Sequence, residues 1–512
     1  MLTELAGDAV SFQALTIGSY LAAVGVGGFW SERTKDPRSS LARIEALLVL
    51  VGAGVSFLVF GQYVLVKLLV FPGAEGFADL YDHAERARWV FVVSAELATA
   101  TLGVLTGFEL PLLLRWAATD GAPSASKVLA VSYAGALLGT LVFTFLLLPN
   151  LSAVACGVVV AVVVNGPAFV WLARARVPAI AWVLAVGACV ALGPLVERLV
   201  TKTFYYGVGV ERPGFEAVPT FAEMWRRPEI ERARSIYQAI DLVESDERTA
   251  AGSVVELYLN GRIQVSPPWS ALYHESLAHV PVQLFGRIPR RALVLGGGDG
   301  ILARELLKYR GLESVTQVEL DGRMIELAKT HAWFRALNLD ALSDPRVTVV
   351  VDDAIGWLRR NRGTFDAVYI DFPDPVGYDL LKLYSVEIYV MIGWALADDG
   401  FLAMDVPIFS SVQVPLREAS FRSWNTRVFS TLDVAGYRQV VPFLGIEHSF
   451  VAARKQRGPV GDDWIDHGIE LEILGPELYR RARRLEFPHD LDPRKAVSIF
   501  WPPLSEFPDP VF

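Results

Sequence analysis

Six apolar segments precede residue 201, near Val10–Trp30, Ile44–Phe71, Trp89–Leu114, Val128–Leu148, Leu151–Ala173 and Ala179–Val200. Each is long enough to cross a hydrocarbon layer as a helix. In lipid the backbone must bond to itself, so an open chain of such runs can only be helical. This predicts a multi-pass helical domain over 1–200, of about six helices, embedded in a lipid bilayer. Small residues such as Gly135, Ala136 and Gly139 suit close helix packing. Glu96 and Glu109 fall inside the third segment. Carboxylates there read either as a functional, transport-like pair or as packing and interfacial residues. The connecting loops carry a second signal. Arg33, Lys35, Arg38 and Arg43, then Arg115 and Lys127, then Arg174 and Arg176 put loops one, three and five on the cytoplasmic side. With six spans both termini would face outward, which conflicts with an intracellular nucleoside substrate for the second half.

The remaining chain is of a different kind. The whole sequence has 53% hydrophobic residues and a mean hydropathy of +0.36, yet the excess ends near residue 200. Residues 201–234 read as a polar connector and 235–289 as a small β subdomain. Within the latter, Asn260-Gly261 marks a hairpin turn between two strand-like runs. Residues 290–512 read as a Rossmann-like α/β domain with a C-terminal extension. Apolar runs at Ala292–Leu295, Ser314–Leu320, Val347–Val351, Ala367–Ile370, Phe401–Val406 and Phe450–Ala453 alternate with helical spacing. That alternation predicts a parallel sheet.

The first of these strands runs into Gly296-Gly297-Gly298-Asp299-Gly300 and then a helical pattern. Strand, glycine turn and helix open a nucleotide-binding unit, although a Gly-rich turn is also often only a turn. Glu319 ends the second strand, about 20 residues on, where a carboxylate accepts both ribose hydroxyls. The spacing is GxGxG rather than the dinucleotide GxGxxG, which favours an S-adenosyl compound over a pyrophosphate. The fourth strand ends in Asp371-Phe372-Pro373-Asp374-Pro375. Two acids at a strand C-terminus suit an amine that must be held and deprotonated; the other reading is a solvated acidic loop. Asp353, after the third strand, suits either an adenine amino group or an N-cap. The net charge of −9 and pI near 5.5 argue against a nucleic-acid partner. Cys156 and Cys189 lie in apolar runs and define neither a disulfide nor a metal framework.

GGGDG, VELD, DDA and DxxDPVG, with Tyr237-Gln238, Gln264 and Tyr273-His274-Glu275 upstream, resemble the polyamine aminopropyltransferases (spermidine synthases) over roughly residues 235–455. The apolar half and the tail around Phe487-Pro488-His489-Asp490 resemble the membrane-fused branch of that family. The resemblance implies transfer of an aminopropyl group from decarboxylated S-adenosylmethionine to putrescine or a related amine, releasing methylthioadenosine. The donor is a co-substrate, and no cofactor is tightly bound. Asp371 matches the acid that takes the amine proton. Asp374, Asp299, His274 and Tyr273 match the polyamine side. Gln238, Glu319, Asp353, Ala354, Gly296 and Gly298 match the adenosyl side, with Ala354 in place of the usual glycine. A multi-pass protein of the cell membrane follows, and a homodimer is a further expectation.

Departures fall on the acceptor side. Ser266-Pro267-Pro268-Trp269-Ser270-Ala271 lacks the family's acids, Tyr378 replaces a proline, and Asp405 stands where a glutamine is usual. No tyrosine stands near Phe443, where the family has one. These departures keep other readings in play: a different S-adenosyl reaction (methyl transfer, cleavage or cyclisation), or a polyamine or nucleoside sensor or transport accessory.

Overall fold

The computed structural model describes residues 9–70, 77–119, 124–147, 150–151, 153–206, 220–249, 252–363, 365–373, 378–408, 418–444, 448–484 and 486–500. The chain forms two units, divided between Ile230 and Glu231.

The first unit is helical. Its long elements are Ala9–Ser31, Pro37–Val70, Phe77–Thr119, Ala125–Val142 with a π turn to Leu147, an α–π–α run from Ala153 to Ala173, and Arg176–Tyr206. Among the described residues, five are long and apolar enough to cross a membrane: Gln13–Ser31, Trp89–Ala118, Ala125–Leu147, Val154–Ala173 and Arg176–Tyr206. The expected segment Ile44–Phe71 falls on the helix Pro37–Val70, whose side chains are described only in part. The last helix continues to Tyr206, into the stretch read as connector.

Close packing occurs at glycines other than those expected. A Cβ on Gly27 or Gly107 would run into the backbone carbonyl of Val104 or Val24 on the opposite helix, and one on Gly103 would lie 2.8 Å from Tyr20 O. Helices Ala9–Ser31 and Phe77–Thr119 therefore touch backbone to backbone, as small residues permit. Gly135 and Gly139 meet nothing within 4 Å, and their helix buries no residue. Glu96 joins the same helix pair, accepting from Thr16 Oγ1 at 2.5 Å and from Ser19 Oγ. Gly107→Leu should force these helices apart and lower the thermal midpoint of the detergent-solubilised protein by several degrees; Gly135→Leu, on an open face, should not.

The second unit holds two sheets. The smaller has the order β1-β2-β3-β4, from β1 (Glu231–Arg234), β2 (Ala239–Thr249), β3 (Gly252–Leu259) and β4 (Arg262–Val265). Asn260 and Gly261, at φ 52° and 80°, make its tight β3–β4 turn. The larger sheet has the order β10-β11-β9-β8-β5-β6-β7. Its strands are β5 (Arg291–Gly296), β6 (Ser314–Glu319), β7 (Val347–Val351), β8 (Phe365–Asp371), β9 (Leu396–Asp405), β10 (Gln439–Leu444) and β11 (Ser449–Arg454). β7, β6, β5, β8 and β9 are parallel. The expectation of a parallel sheet is corrected at one edge, because β11 is antiparallel to both β9 and β10. β10 and β11 are joined by residues 445–448 alone, a connection that suits antiparallel pairing and is too short for a crossover.

Alternate residues of the central strands feed opposite cores. Leu293, Leu295, Val368, Ile370, Leu402 and Met404 pack with the helices Val386–Ala395 and Glu418–Val434. Ala292, Val294, Ala367, Tyr369, Phe401 and Ala403 pack under the helix Pro267–Phe285. That helix, read as part of the small β subdomain, thus belongs to the large sheet. It also anchors the C-terminal extension. Buried Glu275 accepts from the backbone N–H groups of Glu472, Ile473 and Leu474 at 2.5, 3.1 and 2.8 Å. Gln283 exchanges two hydrogen bonds with Ile465, each of 2.8 Å. The chain then crosses to the helix Glu418–Val434, where Thr426, Ser430 and Thr431 hydroxyls accept from Asp490, Asp492 and Val497 N–H. His489 stacks on Phe429 at 3.7 Å.

Candidate active site

The site is built on one row of strand ends. The registers Leu295↔Val318, Gly296↔Asp371, Ile370↔Met404 and Phe450↔Asp405 place Glu319, Gly296, Asp371, Asp405 and Phe450 side by side on neighbouring strands β6, β5, β8, β9 and β11. Partners in register share a face, here the face beneath the helix Pro267–Phe285. With strands spaced by roughly 5 Å, Glu319 and Asp371 stand roughly 10 Å apart along the row.

Between them lies the glycine turn. Gly296, Gly297 and Gly300 have φ of 85°, 63° and 82°, a region costly for any side chain. Space excludes one as well. A Cβ on Gly296 would strike the Asp371 carbonyl, one on Gly297 would sit 2.9 Å from Asp371 Oδ2, and one on Gly298 would sit 3.0 Å from Glu319 Oε2. The two carboxylates thus face the turn from either side. Gly297 N donates to Asp371 O at 3.0 Å, and buried Gln317 donates through Nε2 to the carbonyls of Gly296, at 3.2 Å, and Gly297. Asp299 Oδ1 accepts from Ile301 N at 2.8 Å, ending the turn.

At the Glu319 end, Oε1 accepts from Asp321 N at 2.8 Å. Lost hydration raises the Glu319 pKa to about 7; the Asp321 N–H opposes this, and the charges of Asp321 and Asp299 add to it. Gln238 Nε2 and Ser235 Oγ both donate to Asp321 Oδ2 at 2.8 Å, which brings Gln238 to this end. Asp353 is an N-cap, accepting from Gly356 N at 2.7 Å, with Ala354 opening the helix. Asp352 N donates to Glu319 O at 3.0 Å, so this cap adjoins the same strand end.

At the other end, the Tyr273 hydroxyl donates to Asp371 Oδ1 at 2.8 Å. Lost hydration raises the Asp371 carboxyl to about 8. The charges of Asp299, Asp405 and Glu319 push the same way, and the Tyr273 hydroxyl pulls it down. Burial likewise raises the Tyr273 phenol, so it stays protonated and donates. His274 Nδ1 lies 2.8 Å from the Ser270 carbonyl, which can only accept, so Nδ1 carries the proton. Burial lowers the His274 pKa against the pull of Asp299, leaving the ring neutral. The rings of His448 and Phe450 close around Tyr273 at 5.0 and 5.3 Å. Asp374 lies outside the described residues.

Sequence reasoning passed over Gln317, which ties the glycine turn to β6, and His448. Neither sits in a motif, and each acts only where the folded chain brings separate segments together. Tyr384 was also missed; its hydroxyl holds the Pro373 carbonyl at 3.1 Å and so fixes the segment after Asp371. Glu275, flagged within Tyr-His-Glu, points away from the row to the C-terminal extension.

Comparison with known proteins places relatives beside this geometry. Residues 270–413 match the model of the spermine/spermidine synthase domain. The chain is 33% identical to polyamine aminopropyltransferase 1 of Streptomyces coelicolor over 466 residues, which cover 88% of this chain and 78% of the relative. It is 32% identical to the polyamine aminopropyltransferase of Mycobacterium tuberculosis over 458 residues, covering 86% and 78% respectively. Among solved structures, a spermidine synthase in complex with the transition-state analogue AdoDATO aligns with a TM-score of 0.42 and 25% identity, over 50% of this chain and 85% of that one.

Proposed function

We infer the chemistry of this site from one premise: the chain belongs to the polyamine aminopropyltransferase family and is an enzyme that transfers aminopropyl groups. The donor in this reading is decarboxylated S-adenosylmethionine, with its ribose on Glu319 and its adenosyl group along Gly296, Gly298, Gln238, Asp353 and Ala354. The acceptor is putrescine or a related amine, held by Tyr273, His274, Asp299 and Asp374. The observation that carries this is the hydrogen bond from Tyr273 to Asp371, two strands along the row from Glu319. It supports a nucleoside at one end and a deprotonating carboxylate at the other.

Asp371 takes a proton from the ammonium as the C–N bond forms and the C–S bond breaks, and methylthioadenosine leaves with the electron pair on sulfur. The sulfonium is a good leaving group, so the protein supplies positioning and the base. Tyr273 holds one carboxylate oxygen and leaves the other for the amine. The test is mass spectrometry of products from purified protein, the decarboxylated donor and a panel of diamines. A product heavier than its amine by one aminopropyl unit, together with methylthioadenosine, is expected; methylated amines instead would reject the assignment.

The same reading places the first unit in the cell membrane as a multi-pass anchor, supported by the five apolar helices. Retention in membranes after an alkaline wash is expected, and release into the wash would refute it. A homodimer is supported by the sequence resemblance alone, and its test is the mass of the detergent-solubilised protein.

A further inference from the structure

The roles above leave one acid of the row unused. Asp405 ends β9. Because Ile370 pairs with Met404, Asp371 and Asp405 are the next residues of two parallel strands, on one face and roughly 5 Å apart at the backbone. On its other flank Asp405 pairs with Phe450. Tyr273 roofs both strand ends, bonding Asp371 through its hydroxyl and meeting Phe450 with its ring. The Asp405 side chain is 14% exposed, and its Oδ2 lies 3.8 Å from Nδ1 of His448, which is 52% exposed. That distance is too long for a hydrogen bond. Two carboxylates side by side repel, an arrangement that a cation between them relieves. An alkylammonium has three N–H donors, so it can bond two carboxylates at once.

We propose that Asp405 is the second carboxylate on the reacting ammonium, and that His448 is its exchangeable partner at the rim. This rests on the aminopropyl-transfer reading of the site. The ammonium arrives and displaces His448 from Asp405. Asp371 takes one proton, the nitrogen bonds the methylene, and the C–S pair leaves on methylthioadenosine. The nitrogen ends as a secondary ammonium, and Asp405, still ionised, is its counter-ion. Charge balances: two cations and the Asp371 carboxylate become one cation, a neutral thioether and a neutral acid. Among the described residues, the groups facing Asp405 are Tyr273 from the helix above, Asp371 on β8 and His448 before β11. Asp299 and Glu319 lie further along the row.

The experiment is steady-state kinetics of the full-length protein with the decarboxylated donor and diamines, from pH 6 to 9. Asp405→Asn should raise the acceptor KM about tenfold or more, with the donor KM unchanged, as expected for a lost charged hydrogen bond of ~1.5–3 kcal/mol. The acid limb of its kcat/KM profile should move to lower pH, since one negative charge no longer holds the Asp371 proton. Asp405→Glu, which keeps the charge, should restore much of the acceptor affinity. His448→Gln should lower the acceptor KM, because the ring then no longer competes with the amine for Asp405. Wild-type acceptor KM and pH profile in Asp405→Asn would overturn the proposal. So would equal loss in the Asn and Glu variants, which would mark Asp405 as a packing residue. If the wild-type protein transfers no aminopropyl group to any amine, the reading of the site fails and this proposal with it; transfer with an indifferent Asp405 removes the proposal alone.

Discussion

Asp371→Asn should lose about 10²- to 10⁴-fold in kcat, the contribution of a positioned general base, and should fold into a more stable protein. Both effects have one origin. Amines have pKa values near 10, so the acceptor arrives as an ammonium and needs a base. Asn keeps the shape and still accepts the Tyr273 hydroxyl, but it carries neither charge nor basicity. The stability effect follows from the carboxyl being raised to about 8. A group whose folded pKa exceeds its unfolded value favours the fold below the unfolded value, near 4. That advantage is lost as pH rises through 8. At pH 8 the wild-type fold therefore carries the cost of an ionised, poorly hydrated carboxylate, and Asn removes it. The gain should be on the order of 2 kcal/mol, seen as several degrees in thermal midpoint at pH 8 and little at pH 5. Near-wild-type turnover would sink the mechanism. Equal loss of turnover and stability would show a residue that only shapes its loop. Methylthioadenosine binding, proposed for the Glu319 end of the row, should be intact. Asp374→Asn, in its proposed polyamine-holding role, should act on acceptor KM more than on kcat.

Glu319→Ala should weaken methylthioadenosine binding by about 30- to 1,000-fold, the loss of hydrogen bonds from ribose hydroxyls to a charged acceptor at ~1.5–3 kcal/mol each, not fully additive. Glu319 is raised to about 7, and only its ionised form accepts from both hydroxyls. Wild-type affinity should therefore fall as pH drops below 7, while the Ala variant should show no such dependence. Glu319→Gln separates binding from folding, since its carbonyl oxygen can still accept from Asp321 N–H. It should bind as poorly as Ala while melting at or above the wild-type temperature at pH 8. Unchanged affinity in calorimetry, in either variant, would remove Glu319 from the ribose site.

Much of this site was legible because its acids sit where apolar runs stop. Ala292–Leu295 and Ala367–Ile370 are buried on both faces, so their composition alone marks them as central strands, and the residue following each is at the sheet edge. Asp371 is of that kind, while Glu319 closes the mixed strand Ser314–Glu319. Strand direction is different. The continuous apolar run Phe450–Ala453 looks the same read either way, so the antiparallel edge was not visible. Helix contacts were illegible for a related reason. Gly107 and Gly135 both lie in apolar stretches, and nothing local records which one meets a neighbour. Asp353 offered two readings, and its bond to Gly356 N establishes the cap. Gln317 and His448 were invisible because their partners, the glycine turn and Asp405, are distant in sequence or ordinary in composition.

The helix Pro267–Phe285 joins two distant parts of the chain. Tyr273 faces the row, while Glu275, two residues on, has its hydrogen-bond donors at residues 472–474. During synthesis those donors are still inside the ribosome when the glycine turn and every strand of the large sheet have emerged. Until they appear, Glu275 is a carboxylate without its backbone partners in a place built to exclude water, and the helix that aims Tyr273 cannot settle. The apolar helices of the first unit are made long before. The helix that carries Tyr273 therefore settles only after every strand it packs on has been made.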